Sequence, residues 1–249
     1  MQSITFRLRA LFLISIVTAS VFYACSKESA LASSGKGGSL SRFTVAGNHL
    51  YAVDNHRLYT YSLDDPSHPR QVAVTSVAFD VETIYPYNNY LFLGTSTGLY
   101  IYSIDTPSNP SLLSMARHAR SCDPVVANDS VAFVTLKGNA ACGPAVSGLY
   151  IHDITDIRQP LLKTTLTLDE PVGLGLQDSI LYVCCGTTGL KVFNVKQPYA
   201  PILLSTQTGS DFIDVIPYNG ILICYVRDGI VLYDISDPGA PQLIRKINS

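Results

Sequence analysis

The sequence contains no tryptophan, few charged residues and no basic run in the part that we expect to fold. Lys and Arg number 17 against 19 Asp and Glu, so the chain lacks the positive surface that nucleic-acid binding requires. We therefore expect no nucleic-acid partner. Charged residues make up 14 % of the chain and apolar residues 47 %, which excludes a disordered protein and favours one large core.

The chain is rich in the residues that form strands. Tyrosine occurs 15 times, and Val, Ile, Leu, Thr and Gly crowd short segments between turn-forming residues. Aromatic and β-branched residues favour strands, whereas Gly, Pro, Asn and Asp favour the tight turns that connect them. The composition therefore predicts an all-β domain.

The N-terminal segment has the organisation of a secretory signal peptide. Two arginines lie in the first ten residues, an apolar run follows at residues 11–22, and Ala24-Cys25 closes the segment. The run is shorter than the ~20 residues that span a bilayer, and no stop-transfer charges follow it. We predict a signal peptide over residues 1–24, with a retained transmembrane anchor as the alternative.

A cysteine directly after a small residue at the end of such a segment resembles the lipobox of bacterial lipoproteins. The resemblance implies cleavage before Cys25 and acylation of that residue, and two or more acyl chains give effectively permanent membrane attachment. The Ser- and Gly-rich residues 25–40 are predicted to form a flexible tether. The expected location is the cell envelope, lipid-anchored at the outer membrane, with the domain on its periplasmic or surface side.

One strand pattern recurs five times along the rest of the chain. Its versions are RLYTYSL (57–63), GLYIYSI (98–104), GLYIHDI (148–154), GLKVFNV (189–195) and GIVLYDI (229–235). The steps between them are 41, 50, 41 and 40 residues, so the period is constant apart from an insertion of about nine residues within residues 138–147. Two short apolar strands precede each version, and a proline-containing loop leads into a fourth strand.

Four antiparallel strands in about 41 residues are the unit of a propeller blade. We therefore predict an all-β fold, a five-bladed β-propeller of four-stranded antiparallel blades, over residues 41–249. The five repeats are 41–77, 78–117, 118–168, 169–208 and 209–249. No strand is left over for a shared blade, so the first and last blades are expected to close the ring by face packing. An open row of sheets and a dimer that completes a larger ring are the alternatives.

The phrases GLYIYSIDTPSNP, GLKVFNVKQPYAP and GIVLYDISDPGAP resemble the LVIVD repeat of bacterial surface and periplasmic lipoproteins. The resemblance covers residues 41–249 and implies the propeller fold. It does not imply an activity, because one fold supports many functions.

Five cysteines follow Cys25, and an exported protein meets an oxidising compartment. Cys122 opens the first strand of the third repeat, and the next hairpin brings Cys142, in the insertion, close to it. We predict a Cys122–Cys142 disulfide, worth on the order of 3 kcal/mol for a loop of about 20 residues. Cys184 and Cys185 should point to opposite faces of their strand. One of them, with Cys224, is expected in the core.

The sequence contains no phosphate-binding glycine loop, calcium loop or HExxH spacing. We therefore predict neither a cofactor nor a metal site, and we expect the five histidines to be surface or turn residues. Asp123 and Asp214 occupy related positions in first strands, which line the channel of a propeller. Both are expected to satisfy backbone donors there rather than to act in catalysis.

Topology separates two faces of the predicted disc. The insertion face carries the loops between blades, the loops between second and third strands, and the insertion itself. Its candidate binding residues are His118, Arg120, Asp123, Arg227 and Asp228. The opposite face, the turn face, carries short proline turns and is expected to be structural.

These features favour a non-catalytic binding or scaffold propeller whose partner is an envelope protein or a glycan. The alternative is an envelope hydrolase or lyase that acts on carbohydrate, with Arg120, Asp123 and His118 at the channel mouth. A third hypothesis is a subunit of an envelope assembly. A perturbed carboxylate in a deep pocket would favour the enzyme, and a plugged channel would favour binding.

Overall fold

The computed structural model of the chain describes residues 37–77, 80–117, 124–138 and 146–248. These residues form twenty β-strands in five sheets, and each sheet contains four consecutive antiparallel strands in chain order. The prediction of an all-β, five-bladed β-propeller is therefore confirmed. Within these four ranges, no helix has the length and apolar character needed to cross a membrane.

The blades follow one another along the chain. Blade 1 contains β1 (Phe43–Ala46), β2 (His49–Val53), β3 (Arg57–Ser62) and β4 (Arg70–Ser76). Blade 2 contains β5 (Val81–Tyr87), β6 (Tyr90–Thr95), β7 (Gly98–Ser103) and β8 (Ser111–Arg117). Blade 3 contains β9 (Val125–Ala127), β10 (Val131–Leu136), β11 (Gly148–Asp153) and β12 (Leu161–Thr167). Blade 4 contains β13 (Leu174–Gln177), β14 (Ile180–Cys184), β15 (Leu190–Asn194) and β16 (Ile202–Gln207). Blade 5 contains β17 (Phe212–Tyr218), β18 (Ile221–Val226), β19 (Gly229–Asp234) and β20 (Gln242–Asn248).

Tight turns connect the first two strands of most blades. Asn88, Asp178 and Asn219 have φ angles of 49°, 52° and 48° in these turns, a conformation that Asn and Asp tolerate better than most residues. The outer strands also follow one plan, because the pairing of the third with the fourth strand shifts register at the same place in all five blades. Positions can therefore be matched from blade to blade.

The core consists of four apolar clusters, one between each pair of successive blades from blade 1 to blade 5. We call the side of a blade that faces the following blade its leading face, and the other side its trailing face. Cys184 lies in the cluster of blades 4 and 5, and Cys185 lies in that of blades 3 and 4. The prediction that these two side chains point to opposite faces is confirmed.

Cys184, Cys185 and Cys224 are all fully buried and carry free thiols. They pack as small apolar side chains, and burial raises the pKa of Cys185 to about 12. The prediction for the histidines is wrong at His152, which is 2 % exposed. His152 occupies the position that Tyr102 holds in blade 2 and Phe193 holds in blade 4. Its imidazole therefore fills a site in the core that an aromatic ring fills in those blades.

The seam between blade 5 and blade 1 is not packed in this way. Ile230, on the leading face of blade 5, is 38 % exposed. The matching residues of blades 1 to 4 are at most 1 % exposed: Leu58, Leu99, Leu149 and Leu190. Phe43, on the trailing face of blade 1, is 64 % exposed. Its counterparts are again at most 1 % exposed: Ile84, Val125, Leu174 and Val215.

Among the described residues, no apolar cluster joins blade 5 to blade 1. The prediction that the first and last blades close the ring by face packing is therefore wrong for the single chain. Near the axis the segment before β1 bridges the seam with polar contacts, where Ser39 and Leu40 donate hydrogen bonds to Asp214 of β17.

Candidate functional site

The first strands of the blades surround the axis, and β5, β9, β13 and β17 line a cavity of about 210 Å³. The lining residues lie toward the ends of these strands, where the chain turns into the second strands. The cavity therefore belongs to the turn face. Its lining is Gly37, Tyr85, Pro86, Tyr87, Val126, Leu174, Gly175, Leu176, Val215, Ile216 and Pro217.

Glycine creates part of this space. Gly175 stands at the position that Tyr85, Val126 and Ile216 occupy in the other lining strands. A Cβ atom at Gly175 would approach the Pro217 Cδ and the Val215 carbonyl oxygen to 2.9 Å. Glycine therefore allows β13 and β17 to approach closely while no side chain fills the channel.

The polar groups of the lining are phenols and backbone atoms. Burial, together with the neighbouring Tyr87, raises the pKa of Tyr85 to about 12. Burial raises the pKa of Tyr87 too, and its hydroxyl donates a hydrogen bond of 3.0 Å to Asp129 Oδ1. Both hydroxyls thus stay protonated at neutral pH. Tyr87 donates its proton to Asp129, so its oxygen is left as an acceptor, and the two phenol rings lie beside an apolar wall, an arrangement suited to binding a ring with polar substituents.

Asp214 of β17 binds the segment that precedes β1. Its Oδ1 accepts hydrogen bonds from Ser39 Oγ at 3.0 Å and from the Val215 amide at 2.9 Å, and its Oδ2 accepts one from the Leu40 amide at 3.2 Å. Ser39 Oγ in turn accepts a bond of 2.7 Å from the Leu174 amide. The carboxylate therefore satisfies backbone donors, as its position in the first strand predicts.

The fit around Asp214 depends on two glycines. A Cβ atom at Gly38 or at Gly173 would collide with the carboxylate. Residues 38–40 consequently lie tightly against blade 5 and blade 4.

Burial is the largest influence on Asp214 and raises the pKa of its carboxyl, although the bonds from Val215, Leu40 and Ser39 act in the opposite direction. A carboxyl with a raised pKa in the folded state stabilises the fold below its unfolded pKa near 3.9, and this contribution is lost as the pH rises through the folded value.

We predict that Asp214→Asn will gain stability relative to the unchanged chain as the pH rises from 4 to 8. The amide has the shape of the protonated carboxyl but carries no charge to desolvate. The melting temperature of both proteins is measured across this pH range. The difference between them removes the contributions of the ionisable groups that both proteins share. A constant difference between the two proteins would contradict the raised pKa, because it would show that the Asp214 carboxyl has the same pKa in the folded and unfolded states.

Two of the candidate binding residues, Arg227 and Asp228, lie in the loop between β18 and β19. The Arg227 guanidinium lies 2.5 Å from Asp211 Oδ2, and this carboxylate raises the pKa of Arg227. Lys246 Nζ lies 2.9 Å from Asp228 Oδ2 and lowers the pKa of that carboxyl. Each forms an exposed ion pair within its own blade, and such pairs contribute little to stability. His118, Arg120 and Asp123 lie outside the described residues, as do Cys25 and the pair Cys122 and Cys142.

The described part of the insertion face contains an open depression of about 560 Å³ in blade 1. Asp54 organises it by accepting hydrogen bonds from the backbone of His56 and Arg57 and from the Tyr59 hydroxyl. These bonds lower the pKa of Asp54 to about 2. Arg42 spans the gap to blade 2 with a bond of 3.1 Å to the Val81 carbonyl. This side is therefore charged and shallow, whereas the cavity on the turn face is less open and lined mainly by apolar residues.

In the described ranges, His, Cys, Asp and Glu side chains form no group of three that could hold a metal ion. The cavity was not predicted from the sequence, because the short proline turns of this face were expected to be structural. A signal was nevertheless present, since Gly175 interrupts a position that carries Tyr85, Val126 and Ile216 in three other first strands.

Comparison with known proteins supports the fold. No protein-family model and no curated protein matches the chain. A solved structure from Lactobacillus plantarum superposes with a TM-score of 0.64 at 12 % identity, over 82 % of this chain and 69 % of that one. A periplasmic gluconolactonase of Pseudomonas aeruginosa gives 0.61 at 13 % identity over 81 % and 68 %, and Citrobacter koseri AztD gives 0.58 at 14 % over 80 % and 59 %.

The chain is thus similar in fold to longer propellers, of which it spans between 59 % and 69 %. At these identities the likeness concerns the fold alone.

Proposed function

We propose that the protein is a lipid-anchored binding propeller of the cell envelope that holds one ring or side chain of an envelope protein or glycan in its channel cavity. The observation that carries this proposal is the cavity on the turn face, which combines an apolar wall with the side chains of Tyr85 and Tyr87. Aromatic rings beside hydrogen-bond donors suit both aromatic side chains and sugar rings.

The size of the cavity limits what enters it. A volume of about 210 Å³ lies below the roughly 300–1,000 Å³ of pockets that enclose a whole small-molecule ligand. It accommodates a single ring, while the rest of a larger partner lies on the surrounding turns. This favours recognition of a partner over turnover of an enclosed substrate.

The proposed location depends on the N-terminal sequence. A signal peptide at residues 1–24 and acylation of Cys25 would place the domain outside the cytoplasm, and residues 25–40 would carry it away from the lipid. One of the similar folds belongs to a periplasmic protein, which agrees with this location. The resemblance of the repeats to those of LVIVD lipoproteins supports the same cellular location. The Cys122–Cys142 disulfide remains part of the proposal.

Leu176→Trp should abolish the capture of a partner from detergent extracts of the envelope. The indole would fill the cavity, and since the chain has no tryptophan it would also provide a single fluorophore that reports burial. The matched control is Leu203→Trp, at a residue 50 % exposed on the outer strand β16. We expect the control to capture the partner as the unchanged chain does.

A third variant, with Arg120→Ala and Asp123→Ala together, tests the insertion face. Retained capture by Leu176→Trp combined with its loss in this double variant would overturn the proposed site and assign binding to the insertion face. Cleavage of an envelope glycan by the unchanged chain, abolished by the double variant, would instead establish the hydrolase or lyase.

A further inference from the structure

The open seam exposes two faces that the other blades use to pack against one another. On the leading face of blade 5, Tyr225 is 55 % exposed, whereas its counterparts Thr135 and Cys184 are fully buried. The side chains beside it on β18 and β19 are apolar as well: Ile221, Ile223, Ile230 and Leu232. Monomeric proteins rarely expose contiguous apolar patches beyond a few hundred Å², so this face is suited to an interface.

We infer that the leading face of blade 5 packs on the trailing face of blade 1 in a second copy of this chain. Each of the four internal interfaces already joins a leading face to a trailing face of the same repeat. Within the described residues, the trailing face that lacks such a partner is that of blade 1, where Phe43 is exposed. The two open faces therefore have the chemistry to cover each other between copies.

Charge supports the same pairing. In blades 2, 3 and 4, one position on the fourth strand donates a hydrogen bond to a carbonyl in the proline turn of the following blade. These donors are Ser114 to Ile157, Thr164 to Tyr199 and Ser205 to Gly239, at 2.6, 3.1 and 2.8 Å. The matching position of blade 5 is Arg245. It lies opposite Leu232 in the strand pairing, as Ser205 lies opposite Val192 in blade 4.

The corresponding proline turn of blade 1 is acidic. It contains Asp64 and Asp65. The turns of blades 1 and 4 can be aligned, because the hydrogen bond from the His68 amide to the Asp65 carbonyl corresponds to the bond from the Ala200 amide to the Gln197 carbonyl. The Asp65 side chain is 62 % exposed. In the proposed dimer, an arginine in place of a serine or threonine donor would face a turn whose carboxylates complement it, while Asp65 also accepts a bond from the Ser67 amide and contacts His68.

The size of the two faces fits a dimer. Four strands about 4.8 Å apart and about six residues long, at roughly 3.3 Å per residue, form a face of roughly 400 Å². Two copies joined through both open seams would cover roughly 800 Å² of each copy, which is the size of a standard stable interface.

The test is photocrosslinking of the full chain in cells that express two differently tagged copies. Benzoylphenylalanine at Tyr225 should give a product of twice the chain mass that carries both tags, crosslinked to blade 1. The matched control is the same substitution at Tyr199, 37 % exposed on a proline turn of blade 4, which should not give this product. An adduct within one chain, or only with another protein, would overturn the proposal.

Charge reversal provides the second arm. Arg245→Glu and Asp65→Lys should each abolish the two-tag product, and the double variant should restore it, because the pair is re-formed with opposite signs. A partner other than a second copy would not be restored by the change at Asp65. Loss of the product in all three variants, with unchanged melting temperatures, would contradict this contact.

Discussion

Leu190→Ala should lower the free energy of unfolding by about 2–5 kcal/mol, whereas Ile230→Ala should lower it by less than about 1 kcal/mol. The two residues occupy the same position in blades 4 and 5. Leu190 is fully buried against blade 5, so its truncation leaves a cavity. Ile230 is 38 % exposed, so water fills the space that its truncation leaves.

Urea titration followed by circular dichroism measures both effects, at a protein concentration low enough to keep the chain monomeric. Leu58→Ala, at the matching position of blade 1, is the internal control and should behave like Leu190→Ala because Leu58 is also fully buried. Equal losses at Leu190 and Ile230 would show that blade 5 packs against blade 1 within one chain.

Deletion of residues 242–249 should convert the protein into an aggregating species. These residues include β20, which pairs with β19 along six positions from Gly229 to Asp234. Every residue of β20 is exposed, so the strand contributes little core burial. Its removal instead leaves β19 as an unpaired apolar edge, and such an edge recruits strands of other molecules.

The control for this deletion keeps the strand and changes its side chains. Leu243→Thr and Ile247→Thr together should leave the protein soluble, since Thr favours strands and preserves the backbone pairing. Size-exclusion chromatography and the melting curve compare the two proteins. A soluble deletion product that melts like the full chain would contradict the pairing of β20 as the outer strand of blade 5.

The repeat made most of the fold predictable. A constant period, proline turns and the alternation of apolar residues specify four strands for each blade, and these signals depend on local spacing alone. The lack of packing between blade 5 and blade 1 could not be predicted in this way, because the strand pattern of these two blades is the same as that of the internal blades. Arg245, where blades 2 to 4 carry Ser or Thr, is the local signal that the leading face of blade 5 differs.

The candidate site was less predictable than the fold. Asp214 could be placed in the channel because it lies in a first strand, but its partner Ser39 precedes the first blade and is distant in sequence. The cavity depends on the radial spacing of four first strands, which no local pattern encodes. Arg227 and Asp228 were correctly placed in a surface loop by topology, yet sequence does not show that Asp211 and Lys246 already pair with them.

Hydroxyl-radical footprinting of the dilute, monomeric chain distinguishes an open five-bladed propeller from a closed one. Phe43 and Tyr225 should be oxidised rapidly, because they are 64 % and 55 % exposed at the seam. Phe133 and Tyr182, buried between successive blades, should stay protected. Protection of Phe43 and Tyr225 equal to that of Phe133 and Tyr182 would contradict the account and indicate a ring that the single chain closes.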